Sequence, residues 1–269
     1  MKKTILLIGS SGFIGTQLIK KLKNDYNLIN VNKSNGFDVC KRNSFNKYSL
    51  KKIDFILNLS GQNNSNYNLM KKTIIDGNNN IINYCKKKNT IVYYFSTSLV
   101  YGFSNYKKKE NSFKKPLCKY SKLKLKAEHI YLKSSINYKI LRICNLYDDK
   151  KKGIIKNLIN CIYKKNLFLS PNIQLYRNYL FIDDFVSIIC KSIKIQLKSK
   201  IYNIGYENIK LHTMIKLIES KIRLKLNYKN KNIDLKKIPS QKIDSKKILN
   251  EINYCPKIGL LSYLTKKIS

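Results

Sequence analysis

The sequence predicts an α/β fold: a doubly wound parallel sheet with a small C-terminal lobe. Three observations carry that expectation. An apolar run at residues 4–9 leads into a glycine-spaced turn, Gly9-Ser10-Ser11-Gly12-Phe13-Ile14-Gly15, and then into an amphipathic stretch ending at Lys23. Short apolar runs alternate with helical patterns through the first 150 residues. Strands that alternate with helices make a parallel sheet covered on both faces. The chain has 269 residues and is 43% apolar, enough for one large domain with a substantial core.

Each element follows from its own pattern. Residues 4–9 read as the first buried strand, 27–32 as the second and 53–59 as the third. A helix over 68–88 turns Ile74, Ile75, Ile81, Ile82 and Cys85 to one side. Residues 91–96 and 138–143 are further buried strands, and a helix opens near Tyr120. Beyond residue 150 the pattern loosens. A helix is expected from Gly153 to Lys165, then short pieces at Phe168–Pro171 and Gln174–Phe181. Further on come a helix at 183–195, a strand at 201–204 and a helix at 211–221. Lys229–Lys237 is polar and reads as a loop; two short helices follow, parted by Tyr254-Cys255-Pro256. The domain boundary therefore falls near 150, with 1–150 forming the sheet domain and 151–269 the smaller lobe; residues 181–205 return to the core.

Composition excludes several classes. No run of about 18 apolar residues is present, so no membrane span is expected. The opening Met1-Lys2-Lys3 and its apolar run are too short for a signal peptide and lack a small-residue cleavage site. Seven scattered cysteines form no C-x-x-C pair, and histidine is limited to His129 and His212, so no metal site is expected. Reduced thiols point to a cytoplasmic protein. The net charge of +39 has two readings: nucleic-acid or membrane binding, or a compositional drift that overuses Lys, Asn, Ile and Tyr. The basic residues are spread along the chain without a nucleic-acid motif, which favours drift and no specific nucleic-acid partner. Such a surface would still attract a diphosphate-bearing substrate.

The chemistry concentrates between Thr97 and Glu128. Tyr120 and Lys124 stand at i and i+4, one turn apart on one helix face. An ammonium near a phenol favours the phenolate, so Lys124 is expected to lower the Tyr120 pKa. Tyr120 then serves as general acid/base for a carbinol or carbonyl oxygen. The Thr97 hydroxyl, at a strand end, can share that oxygen. In a chain with 20 Tyr and 54 Lys+Arg this pattern is weak alone. The glycine turn strengthens it: glycines let backbone N–H groups approach a pyrophosphate at a helix N-terminus. The acidic residue that would hold a ribose 2′-OH is missing, and Asn32-Lys33 stands in its place. Asn32 can bond a hydroxyl and Lys33 can meet a 2′-phosphate, so NAD and NADP both stay open.

Gly9, Gly12 and Gly15, the pair Asp38-Val39, the stretch Leu59-Ser60-Gly61 and the segment Ser96-Thr97-Ser98-Leu99-Val100-Tyr101-Gly102 belong to one pattern. So do Pro116, Tyr120, Lys124 and Glu128, the strand Leu141–Tyr147, the segment Arg177–Asp184, Tyr202-Asn203-Ile204-Gly205, and Asp244–Lys247 with Pro256. In these the chain resembles an extended short-chain dehydrogenase/reductase of the NAD-dependent epimerase/dehydratase family, over essentially its whole length. The resemblance implies a Rossmann domain, an NAD or NADP cofactor and a nucleotide-sugar substrate. It implies Thr97, Tyr120 and Lys124 as the catalytic set. It implies a cofactor site made of Gly9, Gly12, Phe13, Ile14, Gly15, Asn32, Lys33, Asp38, Val39, Leu59, Ser60, Gly61 and Cys144, together with Tyr120 and Lys124. Asn145 and Arg177 would join Thr97 in holding substrate, Arg177 at the diphosphate. A homodimer through helix pairs is usual for similar enzymes.

Plainer roles exist for several of these. Thr97 could cap a strand, Tyr120 and Lys124 could lie on a Lys-rich surface, and Asn145 could form a turn. Arg177 could pair with Asp183 or Asp184, and Cys118 has no flanking base that would make it a nucleophile. Three departures from the family matter. Ser98-Leu99 stands where 4,6-dehydratases carry Asp-Glu and decarboxylases carry a Glu, which disfavours both. Ile74 fills a slot often held by Asn. No second Arg is evident near the C-terminus, where Lys236, Lys237 and Lys242 are the nearby cations. The expectation is a nucleotide-sugar epimerase or 4-keto reductase. Its rival is a non-catalytic protein of the same fold that binds nucleic acid through its basic surface.

Overall fold

A computed structural model describes residues 1–61, 66–148, 154–164, 168–170, 174–223, 225, 228–230, 240 and 242–268. Gly153, Lys165, Pro171 and 231–237, which the sequence reading used, lie outside the described residues. Six parallel strands form the central sheet: β1 (Thr4–Ile8), β2 (Asn27–Val31), β3 (Phe55–Asn58), β4 (Ile91–Thr97), β5 (Asn137–Ile143) and β9 (Ile201–Ile204). Their order is β2-β1-β3-β4-β5-β9. The chain leaves β1 toward one edge, makes β2, and crosses back to place β3 on the other side of β1. That reversal opens a crevice beyond the carboxyl ends of β1 and β3.

Near-continuous apolar strands are what a sheet buried on both faces requires. Side chains alternate faces, and two cores result. Ile5, Leu7, Tyr93 and Phe95 pack on one face under α1 (Phe13–Leu22) and α6 (Ile182–Ile195). Leu6, Ile8, Val92 and Tyr94 pack on the other. That second face is covered by a helical run, α2 (Tyr67–Lys71), a π turn at Lys72–Asp76 and α3 (Gly77–Cys85), and by α4 (Lys119–Leu132). The helix expected at 68–88 is thus one run with a wide turn in its middle.

A second sheet joins β6 (Asn145–Tyr147), β8 (Tyr176–Phe181) and β10 (Glu207–Lys210), and a third core lies against it. Residues of α5 (Ile154–Lys164), α7 (Leu211–Ile222) and the C-terminal helix Leu260–Ile268 supply that core, with Leu158, Met214, Ile218 and Leu264 fully buried. A short pair, β7 (Phe168–Ser170) with β11 (Tyr228–Asn230), corrects the loop reading at Lys229 and Asn230. Polar residues at 228–230 carry no alternating pattern, so the pairing comes from tertiary contact.

Buried polar groups knit the sheet to its helices. Glu128 of α4 and Arg142 of β5 form an ion pair at 2.7 Å with side chains 0% and 1% exposed. Ser96 donates to the same carboxylate, and Arg142 donates to the Tyr101 hydroxyl at 2.7 Å and to the Glu110 carbonyl. Tyr101 in turn donates to Asn203 of β9. Carboxylates elsewhere accept backbone N–H groups. Asp54 holds Thr4, Glu110 holds Asn203, Asp184 holds Lys257 and Ile258, Glu207 holds Leu260, and Glu251 holds Lys198. The ion pairs Lys33–Asp38 and Lys194–Asp25, at 3.9 and 3.5 Å, are long and involve exposed lysines.

Breaking a fully buried ion pair leaves one charge uncompensated, at a cost of about 3–5 kcal/mol. Arg142→Met is expected to lose stability on that scale in urea unfolding. Adding Glu128→Leu to it is expected to restore part of the loss, since no orphan carboxylate remains.

Candidate active site

The glycine turn has the geometry of an anion cradle. Gly9 adopts φ +83°, a conformation that glycine reaches without strain. A Cβ on Gly15 would lie 2.6 Å from the carbonyl oxygens of both Gly9 and Ser10, so no side chain fits there. The first helix then starts at Phe13 with Gly12 as its N-cap, no capping side chain and no acidic residue in its first turn. A pyrophosphate fits this end, since the helix dipole and backbone N–H groups favour an anion there.

Beyond the turn lies a cleft of about 480 Å³. Its walls are Gly9, Gly12, Phe13, Ile14, Gly15, Leu59 and Gly61 on one side, with Thr97, Tyr120, Lys124, Cys144 and Asn145 opposite. An adjoining recess of about 320 Å³ shares Gly9, Gly12, Leu59 and Gly61 and adds Lys33 and Ser60. Phe95, Ile143 and Leu146 also line the cleft and were not foreseen; Phe95 and Ile143 lie at the carboxyl ends of β4 and β5, and Leu146 lies in β6.

Asn32, Asp38, Val39 and Arg177 stand outside both walls. Asn32 donates to the Ser10 hydroxyl at 3.0 Å and accepts from Asn35 N–H, so its carboxamide is engaged locally. Asp38 accepts from Cys40 N–H at 2.9 Å. Burial works against its charge, but that bond and the nearby lysines outweigh it and hold the carboxyl below its usual range. Val39 packs under Gly77, where a Cβ would approach it to 3.0 Å. Arg177 donates to the Tyr176 carbonyl, and burial pushes its guanidinium below its usual value. Asp184 is taken up by Tyr254, Lys257 and Ile258. Tyr179, two residues on in β8, pairs with Asn145, which itself donates to the Asn178 carbonyl at 3.0 Å.

The cleft's reactive side chains come from two elements. Thr97 ends β4, and its hydroxyl accepts from Leu99 N–H at 3.2 Å, so the local cap and the cleft position coexist. Cys118 is the N-cap of the fourth helix: its thiol caps Ser121 N–H while Ser121 Oγ accepts from Cys118 N–H. That capping box fixes the helix on which Tyr120 and Lys124 stand. Lys124 is 3% exposed. Its ammonium donates to the Phe95 carbonyl at 2.9 Å and to the Ser60 carbonyl at 3.5 Å. It lies 4.9 Å from the Tyr94 ring centre and 5.7 Å from that of Tyr120.

The titration behaviour differs from the sequence expectation. Burial pushes the Tyr120 phenol above its usual value, with Cys118 adding to the effect. Burial also pushes Lys124 down to about 7, against the opposing pull of Glu128. The sequence spacing foresaw an ammonium beside a phenol. It did not foresee that both groups are desolvated, which disfavours the charged form of each.

A family profile matches residues 5–205, that of the NAD dependent epimerase/dehydratase family. The chain belongs to that family and is an NAD(P)-dependent enzyme of the epimerase/dehydratase kind. A dTDP-D-glucose 4,6-dehydratase of Dictyostelium discoideum is 31% identical over 75% of this chain and 58% of its own length. The N-acetyl-α-D-glucosaminyl-diphospho-ditrans,octacis-undecaprenol 4-epimerase of Escherichia coli O157:H7 is 22% identical over 84% of this chain and 74% of its own. The crystal structure of a Bacillus anthracis dTDP-glucose 4,6-dehydratase in complex with NAD superposes with a TM-score of 0.83. That match spans 99% of this chain and 95% of that one at 18% identity, a likeness of fold. No helix among the described residues is long and apolar enough to cross a membrane.

The buried Lys124 gives a signed pH prediction. Below pH 7 both folded and unfolded states carry the proton, and the full cost of burying the charge is felt. Between about pH 7 and the free lysine value near 10.4 only the unfolded chain is protonated, so stability rises with pH by at most about 1.4 kcal/mol per unit. Lys124→Met is therefore expected to stabilise the cofactor-free protein most at or below neutral pH, with the advantage shrinking toward pH 10. Urea unfolding of both proteins at pH 6.5 and 9.5 (assay conditions near the two ends, about three units apart) checks the sign.

Proposed function

We propose that this enzyme is a nucleotide-sugar epimerase or 4-keto reductase of the cytoplasm, with Tyr120 as its acid/base. One observation carries the reading: Thr97, Tyr120 and Lys124 line the same cleft as the glycine turn. A bound nicotinamide would supply hydride acceptance and return. The glycine turn and the head of the first helix hold the pyrophosphate, and Leu59, Ser60, Gly61 and Cys144 back the dinucleotide.

Tyr120 stays protonated in its buried setting, which suits it to donate to a sugar carbonyl oxygen. Taking a proton from a sugar hydroxyl is harder for it and calls on the positive charge of Lys124. The Thr97 hydroxyl steadies the reacting oxygen. Asn145 and Arg177 hold the substrate, Arg177 toward the diphosphate. Leu99 is a hydrocarbon and offers neither acid nor base, which counts against 4,6-dehydration. In this reading residues 1–150 carry the cofactor and the segment after 150 covers the sugar. The charge of +39 belongs to the surface and needs no specific nucleic-acid partner.

Tyr120→Phe is expected to lower turnover on a panel of nucleotide sugars by about 10²–10⁴-fold. Cofactor binding, followed by thermal shift, is expected to stay within about threefold because the ring remains. Undiminished turnover would remove Tyr120 from the mechanism. The dinucleotide that purifies with the protein separates the two reactions: tightly held NAD marks an epimerase, exchangeable NADPH a reductase.

A further inference from the structure

Two asparagines are buried behind the cleft, Asn58 at 0% and Asn78 at 1% exposure. Burying a primary amide is costly unless its donors and acceptors are met. Here they are met in one directed chain. Ser60 donates through its N–H at 3.1 Å and its hydroxyl at 2.6 Å to Asn58 Oδ1. Asn58 Nδ2 donates to Asn78 Oδ1 at 2.8 Å. The Tyr131 hydroxyl donates to that same Oδ1 at 2.7 Å, and Asn78 Nδ2 donates to the Ile74 carbonyl in the π turn.

The chain closes on itself. Tyr131 stands on α4, two turns beyond Lys124, and the Lys124 ammonium, bonded to the Phe95 carbonyl at 2.9 Å, reaches the Ser60 carbonyl as a second, longer contact at 3.5 Å. Lys124, Ser60, Asn58, Asn78 and Tyr131 thus form a ring that begins and ends on one helix. Ile74 closes the remaining space, since a Cβ on Gly61 would lie 2.6 Å from its Cγ1. Ser60, two residues past the end of β3, is thus tied to Asn58 on one side and followed by a glycine packed on Ile74.

We propose that Asn58 and Asn78 are positioning residues that hold the Ser60 carbonyl against the Lys124 ammonium, so that oriented neutral dipoles carry this cation in the cleft. Its charged and titratable neighbours are few. Tyr120 and Glu128 share its helix, Tyr94 faces it from β4, and Arg142 of β5 ties up the Glu128 carboxylate. The third strand and α3 bring only the neutral groups of the ring. A carbonyl oxygen bonded to an ammonium favours its charged form. Loosening Ser60 therefore makes Lys124 easier to deprotonate.

The test reads Lys124 directly and then turnover, because the proposal takes the catalytic role of Lys124 from the proposed function. Lysine labelled with ¹³C at Cε is titrated by NMR in the intact protein. The signal of Lys124 stands apart by titrating near 7 and is assigned by its loss in Lys124→Met. Asn58→Leu is expected to move that midpoint down by about half a pH unit or more, a threefold change in the protonation ratio. Ser60→Ala, which deletes the hydroxyl bond and keeps the N–H bond, is expected to move it the same way by less. That second variant decides the matter if Asn58→Leu does not fold. Tyr131→Phe removes one of the two donors to Asn78 Oδ1 but keeps the bonds between Asn58 and Ser60, and is expected to move the midpoint less than Asn58→Leu; a larger shift than that of Asn58→Leu also overturns the proposal. An unchanged midpoint in the folded Asn58 and Ser60 variants overturns the proposal. So does an upward shift, which would mean that water had replaced the carbonyl. If the midpoint falls while the pH profile of kcat stays put, the positioning role stands and the catalytic role of Lys124 fails.

Discussion

A desolvated ammonium is the constraint around which this cleft is built. Lys124 reaches the crevice through the interior, and among the described residues no carboxylate comes within ion-pairing distance of it. A charge in that position must be stabilised by what surrounds it, or it sheds its proton. Two carbonyl oxygens and two aromatic faces oppose that loss, and burial still brings the ammonium down to about 7. The nearest acid on the same helix, Glu128, is occupied by Arg142 and Ser96. The cation and the acid are thus kept in separate compartments, one open to the cleft and one sealed behind it.

The sheet makes that arrangement possible. Strand order β2-β1-β3 puts the glycine turn and the Ser60 loop side by side at the reversal. The fourth strand, next in line, ends at Thr97 and brings its hydroxyl to the same rim. The helix that follows descends along the opposite face and delivers Tyr120 and Lys124 from above. None of these side chains is on a long free loop. Each sits within a few residues of a strand end or on the first two turns of a capped helix, so the cleft inherits the rigidity of the core.

Much of this was legible in the sequence, for physical reasons that also explain what was not. The runs at 4–9, 53–59 and 91–96 are continuous in apolar residues because both faces of the sheet are covered, and such runs announce themselves. Gly9 and Gly15 were legible because a positive φ and a carbonyl contact at 2.6 Å leave no other residue possible. The strands β6, β10 and β11 have three or four residues each, too few to show a period, and they form only because neighbours bring them together. The direction of the Tyr120 shift was hidden as well. Spacing on a helix reports which groups are close, whereas burial, which sets the sign here, depends on strands distant in sequence. Asn58 and Asn78 looked like two more asparagines in a chain rich in them; only the pairing of β3 with the helix above reveals their bond.

The carboxylates that grip backbone amides have a consequence for the whole surface. Acidic residues number 15 against 54 Lys and Arg, and Asp54, Glu110, Asp184, Glu207 and Glu251 spend their oxygens on N–H groups. Most lysines are thereby left to face one another through water. Such a shell pushes outward on the fold, and dissolved ions relax it because they screen like charges over about 10 Å at 0.1 M. The carboxylate–amide bonds, most of them partly buried, are screened less. For this molecule brine is a glue: ionic strength that would loosen a protein laced with surface ion pairs draws this one together.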